Sequence, residues 1–238
     1  MLGYSLLLLL ITQGLFILED EPIKALISLV QVITALVPLV AMIFTVVYTY
    51  DSAEFTQLLA VQPIARRSIL MGQVMAMAFA LLVAELVGLG LPLVVNAPQA
   101  ASFVLFAVTC ALTLVFTALG VLIALKQPEK ARGVGVSLVA WLFFILVFDA
   151  LLMWLMFSFS EWPIEPLVVP IASLNPVDLA RILVMLQIDL AAMMGYSGAV
   201  YKDFFGSTGG MFVAAAFLLL WIFIPLLAAF HVFRRKDL

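Results

Sequence analysis

A chain of 238 residues that is 66% hydrophobic and only 11% charged is not a soluble globular domain, in which about a quarter of residues are charged. Its single cysteine excludes an internal disulfide. The formal net charge of −3 is divided between two faces of a membrane and gives no basis for binding nucleic acid.

Six apolar windows read as helices, each set against the roughly 20 residues needed to cross about 30 Å of hydrocarbon. They are Leu2–Leu18 and residues 27–50, 69–95, 102–125, 136–159 and 211–230. The first is short. It opens almost at Met1 without a basic n-region, and no clear small-residue cleavage site precedes Glu19, Asp20 and Glu21, so a retained helix is preferred to a removable signal peptide.

After the second window comes a charged interruption, residues 50–73. Asp51 and Glu54 open it, Leu58, Leu59 and Val61 make a short apolar face, Pro63 breaks it, and Arg66 and Arg67 precede the third window. This reads as a short amphipathic helix parallel to the membrane that ends before Pro63; the plainer alternative is a charged loop anchoring two helices. Glu85 falls inside the third window and Asp149 inside the fifth. A carboxylate in hydrocarbon costs about 2.5 kcal/mol or more, so each is expected to face the bundle, a cavity or a partner. No Lys or Arg lies inside a window to pair with them, and a structural carboxyl hydrogen-bonded to a neighbouring helix is preferred to a substrate path or proton relay.

Residues 161–210 form the longest stretch outside the windows. Pro163, Pro166, Pro170 and Pro176 precede a run in which Leu179, Ile182, Leu183, Leu186 and Leu190 recur at helical spacing, with Asp178, Arg181, Gln187 and Asp189 largely between them. Asn175 is the expected N-cap, with Pro176 in the first turn. The spacing predicts an amphipathic helix over 175–192 at the outer interface, closed by Gly195, Gly198, Gly206, Gly209 and Gly210, or a helix packed on its own bundle; the two are compatible.

Lys and Arg set the orientation, because cytoplasmic loops near helix ends hold the positive excess. Eight of the eleven, Arg66, Arg67, Lys126, Lys130, Arg132, Arg234, Arg235 and Lys236, fall on one side, and only Lys24, Arg181 and Lys202 on the other. Both termini are therefore expected in the cytoplasm, and the whole chain, 1–238, is expected to be one all-α transmembrane domain with six spans and a periplasmic amphipathic segment at 160–210.

No catalytic constellation stands out. His231 reads as an interfacial residue at the end of the last window, Cys110 as a small buried thiol, and there is no G-x-x-x-x-G-K-[ST] phosphate loop. Eleven methionines suit Cu(I), notably Met71, Met75 and Met77 and then Met185, Met193 and Met194, but in so apolar a chain they read as packing filler, and no metal site is assigned.

The order Glu54, Leu58-Leu59, Gln62-Pro63, Arg66-Arg67 and Gly72 resembles the acidic, double leucine, Pro, Arg and Gly pattern between the second and third helices of ABC-2 type permeases. The resemblance implies that this loop is a coupling helix resting on a separate cytoplasmic ABC ATPase, so that Glu54, Gln57, Leu58, Pro63, Arg66 and Arg67 transmit ATP-driven motion, with Lys130 and Arg132 as a second contact. The chain then holds no cofactor of its own; ATP and Mg belong to the partner. Residues 173–181, SLNPVDLAR, with the Met-Gly-Tyr and Phe-Phe-Gly elements that follow, resemble the membrane subunit of the nitrous oxide reductase maturation transporter family. That implies a homodimer in the bacterial inner membrane, a periplasmic copper-handling partner facing Asn175, Pro176, Asp178 and Arg181, and a role in assembling a copper-sulfur centre. A scaffold or anchor that transports nothing, or a permease for another cargo, is the alternative. The chain departs from such permeases at its start, where Met1 opens on Leu2-Gly3-Tyr4 without the usual interfacial elbow helix; the expected reading is a truncated gene model or expression fragment.

Overall fold

A computed structural model describes residues 1–19, 21–159, 171–188 and 208–235. Among them every regular element is a helix and there is no strand, as expected where only helices or closed barrels satisfy the backbone in lipid. The elements are α1 (Leu2–Leu18), α2 (Pro22–Asp51), α3 (Ala53–Ala60), α4 (Arg66–Asn96), α5 (Ala100–Lys126), α6 (Lys130–Ser158), α7 (Pro176–Gln187) and α8 (Thr208–Arg235). Five of them, α2, α4, α5, α6 and α8, are long and apolar enough to cross a membrane. The chain is an integral membrane protein.

α5 is the central post. Of its most apolar stretch 67% is buried, against 6% for α6, so α5 is wrapped by its neighbours and α6 lies along an edge. Leu105, Leu112 and Phe116 of α5 are fully buried with Leu29, Ile33 and Met42 of α2 and Leu81 and Leu89 of α4. Small residues bring helices close, as is usual between spans. A Cβ on Gly120 would sit 3.0 Å from the Met42 carbonyl, and one on Gly133 would sit 2.9 Å from the Tyr50 ring, so α5 and α6 each pack tightly on α2.

Two spans contain a single wider, π-helical turn: Leu86–Gly90 in α4 and Phe143–Val147 in α6. In α4 the cause is local. The Leu91 N–H bonds the Leu86 carbonyl five residues back, just before Pro92, which has no N–H and interrupts the ordinary ladder of α4. α1 packs against this turn, where a Cβ on Gly88 would come within 2.6 Å of Leu8.

The basic end is one place. Lys130 and Asp51 form an ion pair at 2.6 Å, the Tyr50 hydroxyl donates to the Gln127 carbonyl at 3.0 Å, and Leu70, Val74, Val121, Leu125, Ala229 and Phe233 form a small core there. The end of α2, the start of α4, the end of α5, the start of α6 and the end of α8 therefore meet.

The first window is a helix of 17 residues, an apolar helix shorter than the five long ones. Tyr4 stands beside Glu85 and its ring meets Phe44 of α2, while Gln13 lies beside Asn96, so α1 runs along the far half of α4. Gly209 and Gly210 lie inside α8, which begins at Thr208, rather than in a loop before it. The expected outer helix is α7, and of its two readings it takes the one packed on its own bundle. Asn175 donates through Nδ2 to the Phe144 carbonyl at 2.7 Å, and the Phe144 ring meets Phe116 of α5 and Trp221 of α8 edge-on, all three near the middle of their helices. α7 starts at mid-depth and is buried along nearly its whole length, which non-spanning backbone at membrane depth requires. Residues 160–170 and 189–207, with the expected helix end and most of the glycine region, lie outside the described residues.

Candidate functional site

Two regions gather the residues singled out by sequence, one at the basic end and one at mid-depth.

At the basic end α3 is an eight-residue helix that stops before Pro63, where the sequence placed its end. Its inward side is held by a clip: Gln73 of α4 donates through Nε2 to the Thr56 hydroxyl and, at 3.3 Å, to the Ser52 hydroxyl. Thr56 is buried and also donates to the Ser52 carbonyl at 2.8 Å. The outward side is apolar. Phe55, Leu58 and Val61, three apart and so on one helical face, are 62%, 68% and 89% exposed, a run with no cover among the described residues. Glu54 and Gln57 are exposed beside them. The sequence placed Leu59 on this face; it is half-buried and lines a cavity of about 310 Å³ with Phe55, Tyr48 and Ile64. Phe55 was missed, although its spacing to Leu58 and Val61 was the available signal.

Arg66 and Arg67 begin α4 and are exposed, and Pro63 is exposed in the turn before them. Lys130 is tied to Asp51, and Arg132 lies 3.6 Å from Glu129 across one turn. The second basic loop is therefore linked to the same helix end, α2, from which α3 departs. The structure brings Glu54, Gln57, Leu58, Pro63, Arg66, Arg67, Lys130 and Arg132 to one end of the molecule.

At mid-depth Glu85 is fully buried and immediately precedes the wider turn of α4. Its Oε1 accepts hydrogen bonds from the Tyr4 hydroxyl at 3.3 Å and from the Thr113 hydroxyl. Three helices meet on this carboxyl, as the structural reading expected. Asp149 follows the wider turn of α6, and here the expectation fails: it has a cationic partner. Arg181 reaches it from α7 at 3.1 Å and also lies 3.6 Å from Asp178. A window count could not find this partner because Arg181 belongs to no span. Asn175 closes the network. Its Oδ1 accepts from the Val177 amide at 3.0 Å, capping α7, while Nδ2 donates to Asp178 at 2.8 Å and to Phe144. The wider turn of α6 brings that Phe144 carbonyl into reach of a side chain.

Asn175, Pro176 and Asp178 are buried and the Arg181 side chain is 20% exposed. The residues expected to face a periplasmic partner are thus occupied within the chain, fastening α7 to α6. Met185 is buried on α7, and Met193 and Met194 lie outside the described residues.

Comparison with known proteins bears on both regions. The sequence profile of the family described as ABC-2 family transporter protein matches residues 17–238. A protein of Stutzerimonas stutzeri named "Probable ABC transporter permease protein NosY" is 30% identical over 224 residues, which cover 88% of this chain and 79% of that protein. One of the same name from Pseudomonas aeruginosa is 27% identical over 224 residues, covering 89% and 80%.

Proposed function

We propose that this chain, which belongs to the ABC-2 family of transporter permeases, converts motion of an ATPase at its basic end into rearrangement of its opposite half. Membership implies a cytoplasmic ABC ATPase as partner and a multi-pass membrane location. In our reading the basic end is the cytoplasmic one, both termini lie inside a bacterial inner membrane, residues 1–238 form one permease domain, and ATP and Mg stay on the partner subunit.

The observation that carries the proposal is α3. A helix whose apolar face is uncovered while its other side is clipped to a span is built to receive a partner and pass on its movement. Burying Phe55, Leu58 and Val61 removes apolar surface from water, at roughly 1.5–3 kcal/mol for a large side chain. Glu54 and Gln57 give the contact its polar rim, and Lys130 with Asp51 ties the second loop to the same unit. A bound nucleotide shifts such an assembly only by favouring one state, so the closed ATPase state must prefer one position of α3. Movement of α4 then reaches Glu85 and the wider turn beyond it.

The finer role we assign is assembly of the copper-sulfur centre of nitrous oxide reductase, by export or by force passed to a periplasmic copper-handling partner. The resemblance over residues 173–181 and the likeness to the two NosY proteins support it. A homodimer fits the edge position of α6, where Val139, Leu146, Trp154 and Phe157 are each more than half exposed. Because α7 spans from mid-depth outward, it is the element through which the outer partner would be moved.

The test is ATPase activity of the reconstituted complex with Glu54→Lys. The expected outcome is loss of the response of ATP hydrolysis to the periplasmic partner, with the complex still folded. An unchanged response would show that α3 does not carry the coupling, and no response in the wild type either would point to a scaffold that transmits nothing.

A further inference from the structure

We propose that the cleft between α4 and α8 at the basic end is a binding site for the headgroup of an anionic phospholipid from the surrounding bilayer.

The cavity has a volume of about 710 Å³. Two helices build it with the same plan. On α4, Arg67, Met71 and Met75 fall at i, i+4 and i+8; on α8, Arg234, His231 and Leu227 fall at i, i−3 and i−7, so each wall carries a polar head at the membrane boundary and an apolar stripe running inward. Arginines flanking spans are common, but these two come from helices far apart in sequence and meet across one space. Among the described residues neither Arg67 nor Arg234 has a carboxylate partner. Ser68 adds a hydroxyl to the head, and the first turn of α4 holds no acidic residue, so the helix dipole also favours an anion there.

The stripes answer the other half of the ligand. Met71, Met75 and Leu227 are 42%, 63% and 65% exposed, a surface that suits acyl chains and that a free phosphate would not need. Gly72, between Met71 and Met75, lines the same cleft with open space where a Cβ would be, which keeps that wall low along the stripe. Charge at the boundary with apolar walls below it is the recognition chemistry of an acidic lipid in a basic pocket between spans. The inference is independent of the coupling role of α3 and uses only the membrane-spanning reading.

The experiment compares the full chain, purified from membranes, in bilayer discs of phosphatidylcholine alone and in discs of equal parts phosphatidylcholine and phosphatidylglycerol. Retained phosphatidylglycerol is measured by native mass spectrometry and stability by thermal unfolding. Wild type should retain phosphatidylglycerol and gain stability from it, and Arg67→Gln with Arg234→Gln should lower retention about tenfold or more, since each cation near the surface contributes to the attraction. Arg67→Lys with Arg234→Lys, which keeps the charge, should hold most of the retention, and this pair decides the matter if the glutamine pair fails to fold. Full retention by the glutamine pair, or loss in the lysine pair equal to that in the glutamine pair, overturns the proposal. So does an equal stabilisation by inorganic phosphate in phosphatidylcholine discs, which would make the site one for free anions.

Discussion

α3 and α7 are both short amphipathic helices, of eight and twelve residues, one at the basic end and one starting at mid-depth, yet they treat their two faces in opposite ways. α3 hides a polar side chain, Thr56, against α4 and leaves Phe55, Leu58 and Val61 uncovered. α7 buries its apolar side and its polar side together, because Asn175, Asp178 and Arg181 satisfy one another, Asp149 and the Phe144 carbonyl. An amphipathic pattern therefore fixes that a helix has two faces but not which of them meets the protein. The uncovered helix is the one available to a partner; the covered one belongs to the bundle.

The comparison can be broken most severely at α7. Arg181→Leu leaves Asp149 and Asp178 side by side without a cation, and we expect a loss of up to about 3 kcal/mol, seen as a lower unfolding temperature of the purified complex. Gly133→Val drives a side chain into Tyr50 where α6 closes on α2, and should cost about 1–3 kcal/mol by overpacking in the same assay. At α3 the outcome is of another kind. Phe55→Ser with Leu58→Ser should leave the unfolding temperature of the isolated chain near wild type while weakening ATPase association about tenfold or more, measured by titrating the ATPase onto the chain in discs. A large fall in stability from this pair would erase the contrast between the two helices. Lys130→Gln removes an exposed ion pair and should change stability by no more than about 1 kcal/mol.

Much of this arrangement was legible in the sequence. The apolar windows gave all five long helices with ends up to about six residues off, Pro63 gave the end of α3, and Asn175-Pro176 gave the start of α7 with its cap. Of the eight basic residues assigned to one side, those in the described part lie at one end of the bundle. What failed depended on distance in the chain. Polar residues between leucines on α7 look like a solvent face, because the sequence does not show that Asp149, thirty-two positions before Arg181, will neutralise it. Gln73 carried no signal as the partner of Thr56, since a lone glutamine near a span boundary reads as interfacial.

The wider turns of α4 and α6 have one further consequence. A π-turn holds one residue more than an α-turn, and one residue in a helix is a rotation of about 100°. If such a turn relaxes to ordinary helix, the part beyond it spins to present another face while the part before it keeps its register. In α4 the turn begins directly after Glu85 and the part beyond it, from Leu91, carries Asn96; in α6 the part beyond carries Asp149. Each of these spans is thus two rods joined by a swivel, whose halves can keep separate angular settings.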